Sequence, residues 1–343
     1  MSSTAWDPIQ RFEHLHIEWE VPPPPARLKI EIDNAQSILR PNKSPDLPFG
    51  WSLNPYRGCT HACSYCYARA FHEFLELGAG TEFERRIRIK KDAPHILRHE
   101  LMQSSWKGER IMFSGATDCY QPIERQYRLT RACIEVCVEF RNPIVIVTRS
   151  PLILRDIDLL KQLSKSGALE VNISIPILDP KIARALEPGA PPPSARLRTI
   201  QVLRNEGIPT GISLAPLIPG INDHAIPAAL GAAKEAGAQW AWTQLVRLSD
   251  PVAQVFERTL KQTLPLRADT IMRRIRRARG GALNDGEWHS RMRGTDQTWA
   301  MAEKIFNQWK RRLNLSNRPP PPVINPFRRP GQGQQIELFE PSQ

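Results

Sequence analysis

The stretch NPYRGCTHACSYCYAR (54–69) places Cys59, Cys63 and Cys66 in C-x3-C-x2-C spacing, on a loop that follows one apolar run and enters a helix-like one. Three thiolates this close along the chain can ligate three corners of one cluster. A [4Fe–4S] cube takes four ligands, so one iron stays open to an exogenous group. Zinc is the competing occupant, but structural zinc normally takes two separated ligand pairs. No second pair is visible here, and His61 lies inside the loop with its direction unspecified. Core packing of single thiols does not account for three cysteines within this span. A reducing compartment suits such a cluster better than a disulfide framework does.

Outward from that loop the pattern alternates. Strand-like runs occupy 51–55, 110–114, 143–148, 169–175, 210–214 and 240–246, and helix-like stretches occupy 62–76, 124–140, 153–165, 194–206 and 223–236. In NEGIPTG (205–211) and EAGAQWAW (235–242) a glycine stops a helix just before a strand. Six strands alternating with helices predict an α/β fold, a parallel (β/α)6 partial barrel of TIM type or an open sheet. Past residue 250 the strand pattern stops, and 251–261, 266–279 and 296–314 read as helices. The expected organisation is a Pro-rich N-terminal extension at 1–50, the barrel at 51–250, a basic helical section at 251–317, and a Pro-rich, disordered tail at 318–343.

A chain of 343 residues can bury a sizeable core. No apolar run approaches the roughly 18–20 residues of a membrane span. The start, MSSTAWDPIQRFEHLHIEWE, has no apolar segment of the signal-peptide kind, so a cytoplasmic protein without membrane contact is expected. The net charge is +12, and residues 265–330 hold 15 Lys/Arg against 5 Asp/Glu. A basic block this compact favours a polyanionic partner, nucleic acid first, over a merely solvated helical face.

The cysteine spacing, with Tyr65 at the aromatic position of C-x3-C-x-aromatic-C, resembles the radical S-adenosylmethionine (SAM) superfamily. With SGATDCYQPIE (114–124), the chain is similar to the subgroup related to spore photoproduct lyase. The resemblance implies that Cys59, Cys63 and Cys66 bind three irons of a [4Fe–4S] cluster and that SAM chelates the fourth. An electron donor then drives reductive cleavage of SAM to a 5′-deoxyadenosyl radical, which abstracts hydrogen from substrate.

It also implies cofactor-binding roles at the barrel mouth, where strands end. Thr117 and Asp118 are expected near the methionine end of SAM, with a turn and helix cap as the alternative. Arg149 stands where the subgroup has a lysine and is expected at the SAM carboxylate by a bidentate fork. Asn172 and Ser174 share one strand face and point to the lumen, as SAM contacts or as satisfied polar core. In the loop EPGAPPPSARLRTI (187–200), Arg196 is expected to point inward. Cys119, with Tyr120 as the alternative, is a candidate catalytic hydrogen donor, whereas Cys133 and Cys137 read as core.

At the far end, Gln335, Ile336, Leu338 and Phe339 sit in QIELF, which resembles the pentapeptide that binds the bacterial sliding clamp. Packing of this tail on its own barrel is the alternative. Three function classes follow. The first is a radical SAM lyase-like enzyme acting on DNA, in repair or base modification. The second is one acting on RNA, a peptide or a small molecule. The third is a non-catalytic Fe–S module that binds DNA or senses.

Overall fold

The computed structural model describes residues 5–9, 26–316, 318 and 324–331. Its ten strands are β1 (Lys29–Ile32), β2 (Leu39–Pro41), β3 (Trp51–Leu53), β4 (Tyr56–Arg57), β5 (Arg86–Ile89), β6 (Ile111–Phe113), β7 (Ile144–Thr148), β8 (Leu169–Ser174), β9 (Thr210–Ser213) and β10 (Ala241–Trp242). The helices are α1 (Thr81–Arg85), α2 (Ala93–Met102), α3 (Glu124–Tyr127), α4 (Leu129–Phe140), α5 (Ile157–Lys165), α6 (Pro180–Leu186), α7 (Pro193–Asn205), α8 (Ile226–Glu235), α9 (Asp250–Thr263), α10 (Ala268–Ala278) and α11 (Gln297–Arg312).

The larger sheet runs β10-β9-β8-β7-β6-β3-β2. Its first six strands are mutually parallel and correspond to the six runs read from the sequence. This is the partial barrel, open between β10 and the β3–β2 edge. All six residues of β8 are buried, as a parallel strand covered on both faces requires. Cys133 and Cys137 are fully enclosed on the inner side of α4, as expected of core thiols.

The stretch 62–76 departs from its helical reading. It forms only two short 3-10 turns, at 67–71 and 73–75, because the cysteine loop consumes the residues before them. A second sheet, β1-β5-β4, was not anticipated. Its signal lies in RIRI (86–89), where Ile87 and Ile89 turn inward and the arginines outward with period two.

Residues expected as an N-terminal extension supply β1 and β2, which pair with β5 and β3. The edge strand β2 is fastened by Glu100 of α2, whose carboxylate accepts from Ser37 Oγ (2.6 Å), Ile38 N (3.2 Å) and Leu39 N (3.0 Å). At the bottom of the barrel Arg318 pairs with Glu170 at 2.8 Å. Phe327 stacks on Phe140 with ring centroids 6.2 Å apart. Gln335, Ile336, Leu338 and Phe339 lie outside the described residues. Among those described, no helix is long and apolar enough to cross a membrane.

Replacing Glu100 by Ala removes the side-chain acceptor of two edge amides, Ile38 N and Leu39 N, at a cost of about 1–3 kcal/mol. The expected outcome is faster hydrogen exchange at Ile38 and Leu39 with the parallel sheet intact. Unchanged exchange there would mean that β2 is held by its ladder alone.

Candidate functional site

The cysteine loop is shaped by close approaches on both sides. Gly58 enters it at φ +77°, where a Cβ would stand 2.9 Å from the carbonyls of Phe83 and Arg86. Gly189 covers it from the β8–α7 connection, and a Cβ there would lie 2.0 Å from the Thr60 carbonyl. The backbone hydrogen bonds tell the same story: Cys59 N donates to Phe83 O (2.9 Å), Ser64 N to Leu186 O (2.9 Å), and Gly189 N to His61 O (3.1 Å). Arg69 is fully buried beneath the loop, donating to Cys63 O (2.8 Å), Ala79 O (2.8 Å) and Gly80 O (3.1 Å) and pairing with Glu84. No reading of the sequence singled it out, although an arginine directly behind three cysteines in a run of small and aromatic residues is the available signal.

All three thiols are free, with Cys59 and Cys63 buried and Cys66 partly so. Burial pushes the Cys63 thiol up, against the Arg149 guanidinium, and the Cys66 and Cys59 sulfurs push it further. Burial likewise raises Cys66, and Cys59 adds to it. Burial acts the same way on Cys59, but His61 more than offsets it and the thiol titrates below its usual value. Three sulfurs that oppose one another's ionisation in a dry loop are an environment that bound positive metal would relieve. Among the described residues, no three His, Cys, Asp or Glu side chains close on a single ion. A donor set of three thiols on one loop suits a cluster that leaves one iron open.

Around the loop stand the ends of the strands. Arg149, just past β7, donates to Cys63 Sγ and to Ser174 Oγ (3.2 Å) and lies 3.5 Å from Glu187. Glu187 is enclosed and also takes the Tyr65 hydroxyl and the Arg196 guanidinium. Arg196 therefore points inward, where it braces Pro191 O at 2.8 Å.

Asp118 accepts from Thr148 Oγ1 (2.6 Å) and Arg149 N (2.9 Å) and pairs with His61 at 3.3 Å. Burial would raise its carboxyl, yet His61 and these donors hold it well below the usual carboxylate range. Thr117 is buried and bonds Tyr56 O at 3.4 Å.

The structure thus gathers Cys59, Cys63, Cys66, Tyr65, Asp118, Arg149 and Ser174 in one connected region. Asn172 shares the lumen face with Ser174, but its amide is engaged by Trp240 Nε1 (2.8 Å), Trp242 Nε1 (3.1 Å) and Glu170 (3.0 Å). Cys119 and Tyr120 are fully enclosed within the main core cluster.

A family model of the radical SAM superfamily matches residues 53–233, more than half of the chain. The chain belongs to that superfamily. Its cofactors are those of the family, a [4Fe–4S] cluster and SAM, and its fold is that of an enzyme. An uncharacterised protein of Mycobacterium tuberculosis is 36% identical over 185 residues, 53% of this chain and 54% of that protein. An uncharacterised protein of Methanocaldococcus jannaschii is 29% identical over 57% of this chain and 71% of its own length. A protein of Pseudomonas phage M6, the radical SAM Nα-GlyT isomerase, is 31% identical over 50% of this chain and 34% of its own. The chain spans about half the length of the mycobacterial relatives it matches. Spore photoproduct lyase complexed with dinucleoside spore photoproduct superposes with TM-score 0.61 over 83% of this chain and 79% of that one, at 14% identity, a likeness of fold.

Gly189→Ala is expected to displace the cysteine loop, at a cost of about 1–3 kcal/mol for the overpacking, and to lower iron content after anaerobic reconstitution. Gly231→Ala, in open space on α8, serves as the control. Equal iron content in the two variants would show that the covering loop does not shape the site.

Proposed function

We propose that this radical SAM enzyme acts on nucleic acid, DNA first, and repairs or modifies a base. The observation that carries the reading is helix α10. Its Ile271, Met272, Ile275 and Ala278 are buried, and Arg273, Arg274, Arg276 and Arg277 are all exposed on the other side. Only Arg277 of these four forms an ion pair among the described residues, with Asp296 at 3.5 Å. The helix adjoins the barrel mouth: Arg267, just before it, donates to Gly220 O at 2.6 Å in the loop that follows β9. A row of exposed guanidiniums beside the mouth, three of the four without an ion pair among the described residues, is what a phosphate backbone recognises.

Two further points support the reading. The protein of similar fold is one complexed with a dinucleoside photoproduct. The QIELF segment offers a route to DNA through a sliding clamp, with Leu338 and Phe339 as apolar anchors and Gln335 as a polar contact.

Within the site, Cys59, Cys63 and Cys66 are the iron ligands in this reading. When bound, the cluster supplies the electron for reductive cleavage of SAM. Arg149, steadied by Ser174 and Glu187, is placed to receive the SAM carboxylate, and Asp118 with Thr117 forms the wall at the methionine end. The enclosed Glu187 keeps Tyr65 directed away from water.

Cys63→Ala is expected to remove the brown absorbance of the reconstituted protein and all SAM cleavage, with far-UV circular dichroism unchanged. A full cluster in this variant overturns the ligand assignment. Changing Arg273, Arg276 and Arg277 together to Gln should flatten the log–log salt dependence of DNA binding by about 2–3, at roughly 0.9 per phosphate contact. SAM cleavage without substrate should be unaffected. An unchanged slope removes α10 from the interface.

A further inference from the structure

The end of the sixth parallel strand carries guanidiniums that the barrel leaves unsatisfied. Leu245 bridges Leu217 in parallel at the top of the sheet, and Arg247 lies two residues beyond it, on the rim of the mouth. Arg247 is half-buried, and its Nε is shut from water without a hydrogen-bond partner among the described residues. Arg279, directly after α10, is 7% exposed and reaches back to the same strand end. Its Nε donates to Val246 O (2.9 Å), and its Nη2 to Leu245 O (3.3 Å) and Arg291 O (3.1 Å). Its Nη1 is left buried and unpartnered. A guanidinium carries five donors and no acceptor, so these groups are waiting for an acceptor that the described residues do not supply.

The local charge is also out of balance. Arg247, Arg279 and Arg291 share two carboxylates, Asp46 and Asp285. Asp46 is committed to Arg291 at 2.6 Å, and Asp285 accepts from Ser290 Oγ (2.5 Å) and Glu287 N (2.8 Å). Neither Arg247 nor Arg279 has an ion pair among the described residues. Burial and then the charge of Arg247 bring Arg279 down to about 10; burial and then Arg291 lower Arg247. An anion placed between the two would relieve both.

Position decides which anion. Val246 N donates to Leu217 O (2.9 Å) in the connection that follows β9, so Arg247 stands at the C-terminal end of the parallel strands. The cysteine loop leaves β3 at that same end of the sheet. On its other side the rim is continuous with the exposed arginines of α10, because Arg279 is where that helix ends. A track of guanidiniums runs from the outer surface of α10 to the mouth.

We propose that Arg247 and Arg279 form an anion site that takes one phosphate of a polynucleotide substrate and so sets the target nucleotide beside the cysteine loop. This inference rests on the nucleic-acid reading above and gives it a specific anchor. Guanidinium forks match phosphate and carboxylate alike, so the test separates the two.

The experiment uses the reconstituted full chain, a labelled single-stranded oligodeoxynucleotide, inorganic phosphate and SAM. Arg279 fastens the strand end, so Arg247 is the residue to change. R247Q is expected to bind the oligonucleotide about tenfold more weakly, with a salt slope shallower by about 1. R247K should restore the slope. SAM binding by equilibrium dialysis should be unchanged.

Equal affinity and slope in R247Q, with the wild type binding, overturn the site and leave the nucleic-acid reading standing. Loss of SAM binding with oligonucleotide binding intact assigns the site to the SAM carboxylate and also overturns it. If the wild type binds no oligonucleotide, the nucleic-acid reading falls and inorganic phosphate decides. A phosphate-dependent rise in Tm that R247Q loses keeps the anion site, and no rise removes it.

Discussion

A carboxylate wholly withdrawn from water ties this molecule together. Burial alone would drive Glu187 towards its neutral form, but Arg196 and Arg149 more than offset that and hold its carboxyl below the ordinary value. A buried ion pair of this kind is stable only when its remaining polar atoms are satisfied. Here the Tyr65 hydroxyl and the carbonyls of Pro191 and Ser174 complete the shell. Through Glu187 the cysteine loop, the end of β7, the end of β8 and the start of α7 become one rigid assembly. The proline-rich connection at 187–192, which the sequence suggested would run to 200, gives way to α7 at Pro193 and is thereby a brace rather than a free lid.

A second buried pair repeats the device on the opposite side. His61 lies between Cys59 and Asp118; burial alone would lower its pKa, but those two neighbours raise it to about 9. Asp118 is itself locked by Thr148 and the Arg149 amide. The thiols are thus flanked by a cation on each side, His61 by Cys59 and Arg149 by Cys63. That arrangement suits sulfurs that must give up their protons to bind metal. The rest of the mouth is less balanced, and the surplus of positive charge from Arg247 to α10 gives the molecule one electrostatically distinct side.

Much of this was legible along the chain. Cysteines at 59, 63 and 66 need only sequence spacing to announce a shared ligand set, and the β7 run announces a buried parallel strand by its apolar, β-branched character. The exposed row on α10 follows from isoleucine and methionine at helical spacing among arginines. Other features were hidden. RIRI (86–89) is only four residues long and half arginine, so its period-two pattern is weak until β1 pairs with it. The 62–76 stretch has helical composition, but a loop with Gly58 and Ala62 at positive φ, pinned through Ser64 N to Leu186 O, cannot be helical there.

Cys119 shows the limit most sharply. Its neighbours Asp118 and Thr117 belong to the mouth, and only the packing of α4 against the strands shows that its own side chain is enclosed in the core. Sequence by itself determined the superfamily, the six parallel strands and the basic helix, because ligand spacing and hydrophobic periodicity are local properties of the chain. Tertiary structure alone decided that Glu187 meets Arg196, Arg149 and Tyr65, that His61 faces Asp118, and that Arg247 Nε and Arg279 Nη1 are buried without an acceptor among the described residues. Those facts depend on which groups lose their water together, and desolvation is settled by distances through space rather than by separation along the sequence.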